Sequence, residues 1–351
     1  MHGVFGRVLC SVLQVWRIRG DLMERVLLSH GGGGTMMEKL IEEVFADAFD
    51  NEYIRAMEDA ALLFGNITLT TDSFTVKPLF FPGGDIGKLA VCGTVNDASM
   101  RGAKPLFLTA AFIIEEGFPV EDLKKIVKSM AEAAKEAGVK IVAGDTKVVE
   151  KGSVDRIFIN TSGIGVLYEG ANVSIKNAKP GDIVLISGTI GDHGMAVMSA
   201  REELQFDTPI FSDVAPLNGL IEKLMTLGEA IKVLRDPTRG GVAEVLYEIS
   251  KMSGVGIKIY EEKLPVKESV KSACEFMGID FLHLANEGKV VVVVERDYAE
   301  KALEIMKSHE YGKDAEIIGE VNDSKLVTIN TIYGTSRIVD RPIGELLPRI
   351  C

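Results

Sequence analysis

Apolar residues at Leu123, Ile126, Val127, Met130, Ala134 and Ala137 recur at the three-and-four spacing of a helix with one buried face, and Gly138 is placed to close it. A second such stripe begins near Met36 and runs through Met37, Leu40, Ile41, Val44 and Phe45. A third passes through Leu89, Val91, Val95 and Ala98, with Asp85 positioned as its cap. Between these stripes the period changes. Ile67–Val76 partly alternates apolar and polar positions, as a strand does, and Val26–Leu28 reads as a short strand. Pro105–Ile114 reads as a buried strand, and Val139–Ala143 as one that ends at Gly144-Asp145. Further along, Ile183–Ser187, the near-continuous apolar run Val290–Val294, Glu316–Val321 and Val327–Ile332 are strands by the same reading. Helices are predicted after Gly191–Gly194, after Arg239–Gly241, and over Ala299–Ser308.

Strands and helices thus alternate in both halves, which predicts an α/β (α+β) chain of two domains. The boundaries fall at an N-terminal extension over 1–22, a first domain over 23–169, a second over 170–338, and a flexible tail over 339–351. No low-complexity linker separates the halves, so close packing between them is expected. A length of 351 residues suits two domains with sizeable cores. The extension carries Arg7, Arg17 and Arg19 around Val8–Trp16 and no acid before Asp21, without a small-residue cleavage site after it. It reads as dispensable, with Met23 as an alternative start.

Charge narrows the function. A formal net charge of −12 argues against a nucleic-acid partner, which calls for a basic face. No apolar run reaches the roughly 18 residues of a membrane span. The four cysteines, Cys10, Cys92, Cys274 and Cys351, contain no CxxC pair, which fits a reducing cytosol. Cys92 and Cys274 lie in helical stretches and read as core residues. Cys351 is different because it ends the chain. It is too close to the end for prenylation. Either it is incidental, or it is a thiol that carries an acyl group into a pocket.

Several segments bear chemistry. Gly31–Gly34, between a strand-like and a helical segment, can cradle phosphate with backbone N–H groups, or can simply be a surface loop. It is neither a Walker A loop nor a dinucleotide fingerprint. Asp72, Asp97, Asp145 and Asp236 each sit near an element boundary among small or turn-forming residues. Singly each can be a cap or turn residue. As a set beside glycine-rich loops they suggest hard oxygen ligands for Mg²⁺ and a nucleotide. Lys147 follows Asp145 by two, so on a strand both face one side, either to hold phosphate or in solvent. Glu287 precedes an apolar strand, in a turn role or in proton transfer. His193 offers acid–base chemistry or only local hydrogen bonds.

These segments have a recognisable source. LSHGGGG (Leu28–Gly34), TDSFTVKPLFFPGGDIGKLAVCGTVNDASMRGAKP (Thr71–Pro105), GDTKVVE (Gly144–Glu150), RDPTRGGVA (Arg235–Ala243), NEG (Asn286–Gly288) and the terminal PRIC resemble the HypE family of hydrogenase-maturation proteins. The resemblance runs from Glu24 to Cys351, and the extension departs from it. Aminoimidazole ribonucleotide synthetase, selenophosphate synthetase and thiamine monophosphate kinase, of the same superfamily, lack the terminal cysteine. The resemblance implies a two-domain fold whose N-terminal domains pair as a homodimer with a β-barrel-like interface. It implies that a carbamoyltransferase, HypF, loads carbamoyl onto Cys351, and that ATP-dependent dehydration turns the S-carboxamide into a thiocyanate. The cyanide then passes to iron on a HypC–HypD scaffold, in the cytoplasm. Carried over by motif, Asp72, Asp97, Asp145 and Asp236 are metal-ligand candidates. Gly32, Gly33, Gly83, Gly84, Asp85, Asn96 and Thr146 join them as nucleotide-binding candidates. Cys351, Lys147, Glu287 and His193 are the catalytic candidates. The alternative is a superfamily synthetase or kinase acting on a free small molecule.

Overall fold

The structure, a computed structural model, describes residues 25–202, 208–341 and 349–351, so the extension over 1–22 lies outside the described residues. Two mixed sheets carry the chain. The first has five strands, β1 (Ala61–Leu63), β2 (Ile67–Phe74), β5 (Ala103–Glu115), β6 (Lys140–Val149) and β7 (Ile157–Leu167), in the order β1-β2-β7-β5-β6. A two-stranded hairpin, β3 (Phe80–Phe81) with β4 (Gly84–Asp85), stands apart. Helices α2 (Ile86–Ser99) and α3 (Val120–Ala137) follow α1 (Gly34–Leu40) in the chain, and side chains of α2 and α3 share one apolar core with the sheet. Asp85 caps α2 as expected, its carboxylate accepting from the backbone N–H groups of Gly87 and Lys88. Gly138 closes α3 in the left-handed conformation.

Only one face of this sheet is covered. Leu108, Ala110 and Ile114 of β5 and Ile157 and Ile159 of β7 are buried in that core. The opposite face leaves Leu69, Phe107, Ile113, Ile164 and Val166 exposed. Pro105–Ile114 is therefore half-buried, because both helices lie on the same side of it. Two other expectations change. Val26–Leu28 is no strand: the backbone donors of His30 and Gly31 turn back onto Leu27 and Leu28, leaving a short helical turn over Leu28–His30. β6 continues past Gly144 to Val149, because at Gly144 a Cβ would stand 2.5 Å from the Ala110 carbonyl oxygen. A glycine there lets the two backbones approach and the strand run on.

The second sheet has seven strands, β8 (Ile183–Ile186), β9 (Ile231–Arg235), β10 (Gly256–Tyr260), β11 (Val291–Val294), β12 (Glu316–Asn322), β13 (Val327–Asn330) and β14 (Ser336–Ile338), in the order β14-β13-β10-β12-β8-β11-β9. Its helices are α4 (Asp192–Arg201), α5 (Asn218–Leu224), α6 (Gly241–Ser253), α7 (Glu268–Met277) and α8 (Ala299–Lys307). β11 is buried along its whole length: Val291 and Val293 enter the core shared with α6, and Val292 and Val294 the core shared with α5 and α8. A strand covered on both faces has no reason to alternate, which explains its unbroken valine run.

Candidate active site

The two halves meet around a cleft with room for about 480 Å³, whose walls include Asp72, Asp97, Asp236, Arg239, Glu287 and Cys351. β2 supplies Asp72, α2 supplies Asp97, and the turn between β9 and α6 supplies Asp236 and Arg239. Gly33 belongs to the same wall. Its φ is +78°, and a Cβ there would stand 3.0 Å from the Arg239 carbonyl oxygen, so only glycine lets this loop lie against the Arg239-Gly240 turn. Gly34 also lines the cleft.

These acids repel one another in a dry setting. Burial pushes the Asp97 carboxyl well above the usual carboxylate range, and the charges of Asp236, Asp72 and Asp59 add to that. Burial likewise raises Asp236, to about 6, with Arg235 opposing. Asp72 rises for the same reason, against the pull of Arg239. Glu287 is pushed well up by burial, then by Asp236 and Asp72, and its Oε1 is buried without a hydrogen-bond partner. Asp97 accepts a 3.0 Å hydrogen bond from the Thr70 hydroxyl. Arg239 gains proton affinity chiefly from the charge at Cys351, then from Asp72 and Asp97 once burial is offset.

The chain terminus lies in this cleft. Thr75 N–H donates to a Cys351 carboxylate oxygen at 3.0 Å and Lys77 N–H to the Arg349 carbonyl at 3.2 Å, so the last residues run beside the segment after β2. Ile350 is buried in the N-terminal core, and Cys351 packs against it. The Arg349 guanidinium donates to the Thr75 carbonyl and pairs with Asp155. The tail expected to be flexible is docked at its end, while residues 342–348 lie outside the described residues.

Not every candidate converges here. Asp145, Thr146 and Lys147 lie on edge strand β6, exposed, with Lys147 Nζ 2.7 Å from the Asp145 carboxylate. β6 pairs in parallel with β5, Asp145 beside Ala111 and Lys147 beside Ile113, on the face without helices. Asp72 occupies the helix-covered face of the same sheet, in line with buried Thr70 and Phe74. One chain therefore cannot bring Asp145 and Lys147 to Asp72.

Gly83 lies in the β3–β4 turn and Gly84 begins β4, neither of them in the cleft wall, and at Gly83 a Cβ would meet the Ser212 backbone at 2.7 Å. Asp85 is spent on its cap. Gly32 lies half-buried in the loop that ends in Gly33 and Gly34. Asn96 is buried and ties the domains together, donating to the carbonyls of Ala215 and Glu287 and accepting from Leu217 N–H. His193 is fully buried, with both ring nitrogens engaged. Sequence reasoning missed Arg239, Glu58 and Asp59. Glu58 pairs with Arg101 and Asp59 with Arg235, all four largely buried. Signals existed: Arg239 lies inside the RDPTRGG run, and Glu58-Asp59 lies one residue before β1.

The wider comparisons bear on family and fold. Residues 57–167 match the AIR synthase related protein N-terminal domain, and residues 179–331 its C-terminal domain. The carbamoyl dehydratase HypE of Rhizobium leguminosarum bv. viciae is 52% identical over 333 residues, covering 93% of this chain and 95% of that protein. The chain belongs to the HypE family. A crystal structure of the hydrogenase maturation protein HypE in complex with ATP aligns with a TM-score of 0.79 at 45% identity, over 93% of this chain and all of that one. Thiamine monophosphate kinase from Aquifex aeolicus, at 18% identity, TM-score 0.63 and 86% and 99% coverage, shares the fold alone. In this chain Cys351 lines the cleft together with Asp72, Asp97 and Asp236.

Proposed function

We propose that this chain is an ATP-dependent carbamoyl dehydratase of [NiFe] hydrogenase maturation, whose substrate is a carbamoyl group on its own Cys351. The observation that carries the reading is that Cys351 lines the same cleft as Asp72, Asp97, Asp236 and Glu287.

The chemistry assigns roles. An amide-type oxygen is a poor leaving group, so the S-carboxamide oxygen attacks the γ-phosphorus of ATP and releases ADP. Loss of both N–H protons then expels phosphate and leaves S–C≡N. Glu287 is suited to take a proton, because its buried carboxylate binds protons more tightly than an ordinary one. Arg239, between Cys351 and the acids, offsets charge that builds on the phosphorylated oxygen.

Mg²⁺ fits the donor set. Hard carboxylate oxygens that repel one another await a cation, and Asp72, Asp97 and Asp236 would hold it. No group of three or more His, Cys, Asp or Glu among the described residues closes on one point as a metal cage. An ion there would be held by one or two of these aspartates at a time, together with substrate phosphates. When bound, Mg²⁺ neutralises triphosphate charge that these acids would otherwise repel.

Asp145, Thr146 and Lys147 enter through a second copy. A homodimer pairing the exposed apolar sheet faces would cover Leu69, Phe107, Ile113, Ile164 and Val166 and could bring β6 of one protomer to the other's cleft. The family resemblance supports HypF as the loading partner, HypC–HypD as the iron-bearing acceptor, and a cytoplasmic setting. Among the described residues no helix is long and apolar enough to cross a membrane.

The test is intact-mass analysis. Protein loaded by the carbamoyltransferase and repurified should carry one carbamoyl group on Cys351, and should lose one water on addition of Mg-ATP. No mass change at Cys351 would overturn the proposal. Turnover of a free small molecule by protein lacking Cys351 would establish the alternative.

A further inference from the structure

We infer that His193 is a positioning residue whose Nε2–H holds the Ile350 carbonyl and thereby sets the register at which Cys351 enters the cleft. The inference rests on the tail being the substrate, as proposed above.

A tethered substrate has a problem that a free one lacks. Backbone hydrogen bonds to Thr75 and Lys77 fix which tail residue lies at the cleft, and a slip by one residue would move Cys351 from that place. Thr75 N–H and Lys77 N–H hold a Cys351 carboxylate oxygen and the Arg349 carbonyl, on one side of the tail. The intervening Ile350 carbonyl faces the other way, where His193 Nε2 lies 2.8 Å from its oxygen. Arg201, from the far end of α4, donates to the Arg349 carbonyl at 2.8 Å. Helix α4 and the segment after β2 are thus the two walls of a slot, and the carbonyls of Arg349 and Ile350 and the Cys351 carboxylate are all engaged.

The tautomer follows from the partners. A carbonyl oxygen only accepts, so Nε2 carries the hydrogen. In the neutral ring Nδ1 then accepts, from the Ser212 hydroxyl at 2.8 Å. Ser212 Oγ in turn accepts from Val214 N–H at 3.1 Å. Burial lowers the proton affinity of His193, with Asp213 opposing, and the neutral ring agrees with this network. Phe81 meets the imidazole edge-on, with centroids 5.4 Å apart, and fixes its plane. The Gly83 close approach places Ser212, so the β3–β4 turn serves the tail and not the nucleotide. An acid–base residue needs a nitrogen free to face reacting atoms. His193 has none in this arrangement.

The experiment has two readouts. The first is alkylation of Cys351 by iodoacetamide without nucleotide, followed by mass spectrometry, with buried Cys92 and Cys274 as internal references. The second is single-turnover dehydration of loaded protein, with Mg-ATP affinity measured alongside. His193→Ala should alkylate several-fold faster at Cys351 and dehydrate ~10²-fold more slowly, the size of effect that a 1 Å misplacement produces, with nucleotide affinity unchanged. His193→Gln, which retains an N–H donor, should recover a substantial part of both. If His193→Ala does not fold, Ser212→Ala substitutes, since it leaves the ring but releases the tautomer, and an intermediate effect on both readouts is expected. Wild-type alkylation and dehydration in either folded variant would overturn the inference, as would a folded His193→Gln no better than His193→Ala. Wild-type protein that never dehydrates would sink the proposed function instead, while the alkylation readout would still judge the latch.

Discussion

Asp236 and Asp145 are the same residue type in two parts of one candidate site, and their surroundings drive them in opposite directions. Asp236 is buried among Asp72, Asp97 and Glu287, and its carboxyl rises to about 6. Asp145 lies exposed on β6, where the Lys147 hydrogen bond holds its carboxyl below the usual range. The first region is dominated by burial, with the neighbouring acid Asp72 adding to it, whereas the second is paired and solvated. The difference teaches that one residue type binds its proton more tightly where burial strips away water, and less tightly where a solvated lysine pairs with it.

The widest test of this contrast breaks one residue in each region. Glu287→Gln should lower dehydration by ~10²–10⁴-fold, the usual worth of a positioned acid or base. Lys147→Ala should also lose most activity if β6 serves a partner's cleft. Mixing the two variants and allowing protomers to exchange should then restore activity that neither has alone, because some clefts receive an intact Glu287 together with an intact Lys147. Full activity of Lys147→Ala alone would remove β6 from the site.

A smaller effect is expected from the exposed face itself. Ile164→Glu places a charge among Leu69, Phe107 and Val166 on the uncovered side of the first sheet. It should shift the protein toward monomer in sedimentation with little change in the monomer's unfolding. A dimer of undiminished strength would show that another surface pairs the copies.

The pH dependence should be subtler still. The folded-state pKa of Asp236 lies above its unfolded value of 3.8, so its contribution to stability is fully present below about 4 and is lost as pH rises through about 6. Asp97 and Glu287 shift in the same sense. Asp236→Asn should therefore raise the Tm of nucleotide-free protein near pH 7, and the gain should shrink toward pH 4. A Tm difference that is flat with pH would mean that burial does not raise the Asp236 carboxyl in the folded chain.

Much of this was readable in the chain, and the exceptions share a cause. Asp72, Asp97, Asp236 and Glu287 announced themselves by residue type and by glycine or turn neighbours. So did the cap at Asp85, the stop at Gly138 and the doubly covered strand at Val291–Val294. Which face a strand residue takes depends on partners far away in sequence, and that hid the separation of Asp145 and Lys147 from Asp72. Gly83 and Gly84 came in as nucleotide-binding candidates by resemblance alone, but a Cβ at Gly83 would meet Ser212 and one at Gly84 would meet Val214, both more than a hundred residues on. His193 looked like a loop acid–base group because its partners, Ser212 and Ile350, come together only in the folded chain.

The mildest prediction concerns the β6 pair alone. Asp145 and Lys147 are both solvent-exposed, and an ion pair in water gains little, since both groups keep most of their hydration. Asp145→Asn should leave the Tm unchanged at moderate salt, in contrast to the pH-dependent gain at Asp236→Asn. If instead it lowers dehydration, the pair acts on something outside its own chain, because nothing in its own fold depends on it. A destabilised Asp145→Asn would mean that β6 is held by this pair, and the contrast between a solvated edge and a buried cleft would lose its first half.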